Sequence, residues 1–211
     1  MNKANKKIET KREKFDSKSK LGIPILLLLL TYGALFIFFN SLAPLDSQLS
    51  LEISKMRTPV LDAFFVLWTN GGSFLFILLV LLVLWLKGER RPAIYLAVGL
   101  VADAIFVLAL KTIIHQPRPY EVLPITPLEL GDTDASLPSG HASRAFLSAV
   151  ILSKFYRKYT IIFFFLAASI GFSRVYLGVH YPLDILIGAI NGVLSGILII
   201  NLCDRFGTRR G

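Results

Sequence analysis

The chain has 211 residues, 54% of them hydrophobic, with a mean hydropathy of +0.62 and a formal net charge of +9. This composition excludes an ordinary soluble domain, and the length suits one membrane domain of roughly five to seven spans rather than several domains. Nucleic-acid binding is excluded too: no basic face interleaved with aromatics occurs, and the positive excess lies mainly in the first twenty residues and in short loops.

Residues 1–20, MNKANKKIETKREKFDSKSK, are polar, charged and without apolar periodicity. They read as a disordered basic cytoplasmic tail, with a weak electrostatic contact to anionic lipid as the sharper option. A membrane span needs roughly 20 apolar residues. The first candidate is 21–42; its long basic flank, its length and the lack of a small-x-small cleavage site make it a retained signal anchor. Residues 43–71 form an amphipathic connection whose L-S-L-E-I-S-K-M piece fits a short interfacial helix. A second span covers 72–86, with Phe64 as an alternative start, and K-G-E-R-R then turns the chain. Pro92 suits the first turn of a helix and opens the third span, 92–110. A proline-rich loop, 111–140, leads to a fourth span at 141–153, extending toward Tyr156; the fifth is 159–176 and the sixth 182–202. The expected fold is all-α: an integral membrane bundle of six transmembrane helices with an interfacial helix, occupying 21–203, then a cytoplasmic tail at 204–211. The single cysteine, Cys203, rules out an intrachain disulfide and any multi-cysteine metal site.

Orientation follows from the basic residues. With the N-terminus inside, eight Lys and Arg fall in the tail and three in each of the cytoplasmic segments 87–91, 154–158 and 204–211. All the outer loops together hold five, namely Lys55, Arg57, Lys111, Arg118 and Arg174. Both termini are therefore expected in the cytoplasm. Three polar clusters then fall on the same, outer face.

The first cluster is Lys111-T-I-I-H-Q-P-Arg118-Pro119. A mobile ammonium and a planar guanidinium suit a group with several anionic oxygens, although interfacial snorkelling explains Lys111 equally well and His115 reads as a loop histidine. The second is Pro138-Ser139-Gly140-His141, running into an apolar helix. Unpaired N–H groups at a helix start attract anions. Gly140 allows close backbone approach, Ser139 can cap the helix or bind a phosphate oxygen, and His141 can give a proton to a departing oxygen. The third runs from Ser173-Arg174 to His180 and Asp184. Four residues apart across a helix start, His180 and Asp184 share a face, so the carboxylate can fix the imidazole tautomer and leave the other nitrogen free to attack. A plain helix-start carboxylate is the bland reading of Asp184.

Taken in order, K-x6-RP, PSGH and SR-x5-H-x3-D resemble the three-part signature of the type 2 phosphatidic acid phosphatase/haloperoxidase superfamily over roughly residues 58–203. The hydropathy favours the membrane phosphatases over the soluble haloperoxidases. The resemblance implies that His180 takes the phosphoryl group as a phosphohistidine, that Asp184 orients it, and that His141 protonates the leaving oxygen and later activates water. It implies that Lys111, Arg118, Arg174, Ser139 and the Gly140 N–H hold phosphoryl oxygens, with no metal and no cofactor. Inside the membrane, Asp103 lies about two helical turns before Lys111 and Arg144 about one turn after His141. Ionisable groups in a span usually have a partner or line a cavity. Asp103 and Arg144 are expected to pair beneath the site, the alternative being that Arg144 touches a second phosphate.

The expected function is hydrolysis of a lipid phosphate or diphosphate entering laterally from the bilayer. Polyprenyl diphosphate, phosphatidic acid and phosphatidylglycerophosphate are the candidate substrates, and the S-G-H-A-S-R run resembles the polyisoprenyl diphosphate branch. A phosphotransferase using the same pocket is the rival enzyme. An anion or lipid transporter is the non-enzymatic rival, and no interrupted pair of spans supports it.

Overall fold

The computed structural model describes residues 3–129 and 134–207, with side chains from residue 20 onward. Eight helices occur in order among the described residues: α1 (Lys3–Ser54), α2 (Pro59–Trp68), α3 (Phe74–Leu86), α4 (Arg90–Ile114), the short α5 (Pro119–Val122), α6 (Gly140–Phe155), α7 (Thr160–Tyr176) and α8 (Pro182–Gly207). Short 3-10 turns precede α3 and α7, and no strand is present among these residues. The helix starts carry the side chains that orphan N–H groups need: Thr58 accepts from Leu61 N at 3.3 Å, Ser73 from Phe76 N at 3.1 Å and Ser139 from Ala142 N at 3.4 Å.

An apolar core that includes Leu96, Leu100, Leu147 and Ile151 is surrounded by a surface that is apolar as well. Phe36 and Ile161 are 89% and 85% exposed, whereas Asp103, Ser143 and Asn191 are fully buried. Apolar surface outside and polar groups inside are what a hydrocarbon solvent selects. Four helical stretches are long and apolar enough to cross a bilayer: Lys20–Ser54, Arg90–Val122, Arg157–Tyr176 and Pro182–Phe206. A fifth arises if Pro59–Gly72 and Phe74–Leu86, bent by 55°, form one span. The expected fourth span corresponds to α6, whose 16 residues fall short of that length.

The segment after residue 42 differs from expectation. Instead of a separate interfacial helix, 43–54 continues α1 through Pro44. Its anchor is Asp46, which reaches across and accepts from Leu183 N at 2.8 Å, so α1 supplies the N-terminal cap of α8. Sequence periodicity cannot reveal a cap that comes from a helix over a hundred residues away. Helix α1 begins at Lys3 and so includes the basic stretch.

Helix α6 is the hub, packed against α8, α7 and α4. Its contact with α8 is backbone-close. A Cβ on Gly188 would sit 2.6 Å from Ser139 O, and one on Gly192 would collide with Ser143 O. Small residues four apart bring membrane helices together in this way. The closeness matters for function, because α6 carries Ser139 and His141 while α8 carries Asp184. Gly192→Ala should therefore force the pair apart, destabilising the protein by about 3 kcal/mol or more. A melting curve in detergent should show a clearly lowered transition, and an unchanged one would contradict the close packing.

Candidate active site

Helix α4 delivers Lys111 in its last turn and stops at His115, whose φ of 50° is left-handed and turns the chain. Arg118 then starts α5, its backbone N–H donating to Glu121 Oε2 at 2.7 Å. Both cations, 6% and 1% exposed, converge on one carboxylate. Lys111 Nζ lies 3.0 Å from Asp134 Oδ2, and Arg118 donates to Asp134 Oδ1 at 2.6 Å. Lys111 also donates to Ala135 O at 2.6 Å, and Arg118 to Val179 O at 3.0 Å, which ties the loop to the approach of α8. Burial alone would raise the Asp134 carboxyl, but the Lys111 and Arg118 bonds prevail and hold it below its ordinary value.

The P-S-G-H turn lies against the start of α8. Ser139 N–H donates to Asp184 O at 3.1 Å, while the Ser139 hydroxyl accepts from Ala142 N and so acts as the cap of α6. The last turn of α7 carries Arg174, which donates to Thr69 Oγ1 at 3.2 Å and lies 2.5 Å from Glu129 Oε2. The chain turns back at Gly178, where a φ of +78° calls for glycine, and reaches His180. His180 Nδ1 sits 3.2 Å from Asp184 Oδ2, which also accepts Tyr181 N–H at 2.8 Å and the Ser136 hydroxyl. An N–H on Nδ1 leaves Nε2 with the lone pair. Burial lowers the proton affinity of His180 well below the ordinary value, and the nearby charges of Arg174, Arg118 and Lys111 lower it further.

The three clusters meet. A cavity of about 300 Å³ is lined by Lys111, Gly140, His141 and His180, with Asp134 and Arg144, and by Ala104, Val107 and Leu108 on α4. Asp184 stands behind His180, while Arg118 and Arg174 reach the surrounding loops. The expected Asp103–Arg144 pair is not formed. Asp103 Oδ1 instead accepts from the Ser143 hydroxyl and, at 3.3 Å, from Asn191 Nδ2, which also donates to Ser143 Oγ at 2.8 Å. Arg144 turns to Gly72 O, with its Nε at 3.4 Å, and lines the cavity. Neutral hydrogen-bonding side chains on two facing helices, Ser143 on α6 and Asn191 on α8, meet the buried carboxylate.

Sequence reading passed over Asp134 and Glu129, the carboxylates on the site cations, and Ser136 and Asn191, both fully buried. A signal existed for two of them. Asn191 lies seven residues after Asp184, on the same face of an apolar helix, and Ser136 lies three before Ser139. Loop acids flanking a basic cluster carry no comparable spacing.

Known proteins resemble the chain in sequence and in fold. It is 32% identical over 128 residues to the bacitracin transport permease protein BcrC of Bacillus licheniformis, covering 59% of this chain and 63% of that protein, less than two thirds of its length. It is 28% identical over 150 residues to the undecaprenyl-diphosphatase BcrC of Bacillus subtilis, covering 69% of this chain and 76% of that one. The crystal structure of a transmembrane PAP2-type phosphatidylglycerolphosphate phosphatase from Bacillus subtilis superimposes with a TM-score of 0.74 at 25% identity, covering 89% of this chain and 97% of that one. Residues 92–207, more than half of the chain and all three polar clusters, match the PAP2 superfamily. With its apolar helices and this match, the chain is a membrane protein that belongs to the PAP2 superfamily.

Proposed function

We propose that this PAP2 hydrolase removes the terminal phosphoryl group of a membrane lipid phosphate, with a polyprenyl diphosphate as the preferred substrate. The observation that carries the reading is the His180–Asp184 pair, 3.2 Å apart, with His180 lining a cavity that also holds His141, Lys111 and Arg144. His180 Nε2 attacks the terminal phosphorus, a P–N bond forms and the P–O bond to the leaving group breaks. His141 protonates that leaving oxygen. In the second half, water attacks phosphorus, its proton passes to His141, and the P–N bond breaks to release inorganic phosphate. Lys111, Arg118, Arg174, Ser139 and the Gly140 N–H take the phosphoryl oxygens, so that charge is met by fixed cations and a helix N-terminus without a metal. Asp134 and Glu129 bind these cations, and an incoming phosphate competes with them.

Diphosphate preference rests on Arg144. It lines the same cavity as His141, about one helical turn further along α6, in a wall completed by Ala104, Val107 and Leu108 of α4. A second phosphate, between the reacting phosphorus and the lipid, falls beside it. That one relative is an undecaprenyl-diphosphatase supports a diphosphate substrate. For the topology, we place six spans, counting the bent α2–α3 pair as one and α6 as another, with both termini in the cytoplasm, the first twenty residues as a tail, and the site at the outer face.

Phosphate release from a panel of polyprenyl diphosphate, polyprenyl monophosphate, phosphatidic acid and phosphatidylglycerophosphate, in detergent with EDTA and no added acceptor, tests the reading. Hydrolysis without metal is expected, fastest on the diphosphate. Arg144→Met should cut kcat/KM for the diphosphate about 10- to 100-fold, the loss of a charge-assisted hydrogen bond, and leave the monophosphate within about threefold. Equal losses on both would remove Arg144 from the second phosphate, and a requirement for an acceptor alcohol would favour a phosphotransferase.

A further inference from the structure

We propose that Ser136 is a positioning residue for the nucleophile: its hydroxyl holds the Asp184 carboxylate in place and, through it, the attacking tautomer of His180. The inference rests on the reading of His180 as nucleophile.

Ser136 is fully buried, and its Oγ touches both partners. It donates to Asp184 Oδ2 and lies 3.4 Å from His180 Nδ1. The longer contact is the weaker one, so the hydroxyl proton belongs to the carboxylate. Oδ2 thus gathers the Ser136 hydroxyl, the Tyr181 N–H and His180 Nδ1, while Oδ1 has no partner among the described residues. One carboxylate oxygen is fixed from three directions. A carboxylate so held cannot rotate to offer the imidazole a different geometry, and the ring keeps its proton on Nδ1.

Three consecutive residues connect the phosphate cations to this point. Asp134 binds Lys111 and Arg118, Ala135 O accepts from Lys111 Nζ, and Ser136 reaches the pair. The Ser136 N–H is itself pinned to Gln116 O at 2.9 Å. The loop that gathers the substrate's cations therefore also sets the back of the nucleophile.

Loss of the hydroxyl has a signature that loss of packing lacks. With one donor gone, the carboxylate keeps more of its charge for the imidazole, the proton affinity of His180 rises, and the acid limb of kcat/KM moves to higher pH. Arg174 from α7, Arg118 and Lys111 from the loop and the end of α4, and His141 from α6 act on His180, and Asp134 and Arg144 line the same cavity. None of these is altered by the substitution.

The test uses the full-length protein in detergent with a polyprenyl diphosphate. Ser136→Ala and Ser136→Cys should lower kcat about 10- to 100-fold with KM within about threefold, and both should raise the acid limb. Cysteine keeps nearly the shape of serine but donates weakly, so it keeps the test readable if the alanine variant unfolds. Ser136→Thr, which retains the hydroxyl, should recover most of the rate and return the limb toward its original position. Wild-type rates and limbs in the alanine and cysteine variants would overturn the proposal. So would a loss of rate in all three variants with the limb unmoved, since that marks packing alone. An inactive His180→Ala beside an undisturbed Ser136→Ala sinks this inference only; an active His180→Ala sinks the nucleophile.

Discussion

His180→Ala should abolish phosphate release, with kcat falling by about 10,000-fold or more, because in the proposed reaction this residue forms the covalent bond to phosphorus. The transporter reading predicts no such dependence. The second observable is the intermediate itself: quenching the wild-type protein with alkaline detergent after a terminally labelled diphosphate is added should trap label that is stable to base and labile to acid, as a phosphoramidate bond is. Labelling that persists in His180→Ala would place the nucleophile elsewhere. The pH behaviour is set by the same burial. The free-enzyme imidazole stays neutral well below its ordinary value of 6.5, because it is desolvated and surrounded by Arg174, Arg118 and Lys111. Activity should therefore persist on the acid side of pH 6.5 as far as His180 is concerned. Stability shows the opposite cost: as pH falls through about 6.5 the unfolded imidazole takes up a proton that the folded one refuses, so the contribution of this site is lost toward acid.

Much of this arrangement was legible in the sequence because membrane helices and loop motifs are local signals. Hydropathy marks where the chain enters and leaves the bilayer, and the 159–176 and 182–202 spans coincide closely with α7 and α8. The cation, turn and imidazole clusters have fixed spacings, and the cavity contains members of all three. Contacts made across sequence distance were hidden. Asp46 capping α8 and the Ser143–Asp103–Asn191 knot each join helices far apart in the chain. Asp103 shows why the hidden part was misjudged. Charge arithmetic singles out Arg144 as its partner, yet one oxygen of the carboxylate is bonded by a hydroxyl and an amide instead, and those residues are unremarkable in a sequence until the fold places them opposite. The 43–54 segment failed for a related reason: its amphipathic pattern fits an interface, but Pro44 does not end a helix whose next turns are held by a distant backbone N–H.

His141 separates the two halves of the proposed reaction, and its removal should do so visibly. It lines the cavity beside His180 and lies at the start of α6, one residue beyond the Gly140 N–H expected to bind phosphoryl oxygen. In the proposed reaction it serves the leaving oxygen first and water second. General acid catalysis is worth about 100- to 10,000-fold, and its value depends on how poor the leaving group is. His141→Ala should therefore lose about 1,000-fold or more on a phosphatidic acid, whose departing alkoxide needs a proton. On p-nitrophenyl phosphate, whose phenolate departs without one, the first half should survive and the second should not. Phosphoenzyme then accumulates, seen as a burst of nitrophenolate about equal to the protein present, followed by slow turnover. Equal losses on both substrates with no burst would show that His141 acts before the bond to the leaving group breaks, as a binding residue rather than a proton donor. A burst in Ser136→Ala is not expected, because a mispositioned His180 slows the formation of the intermediate first.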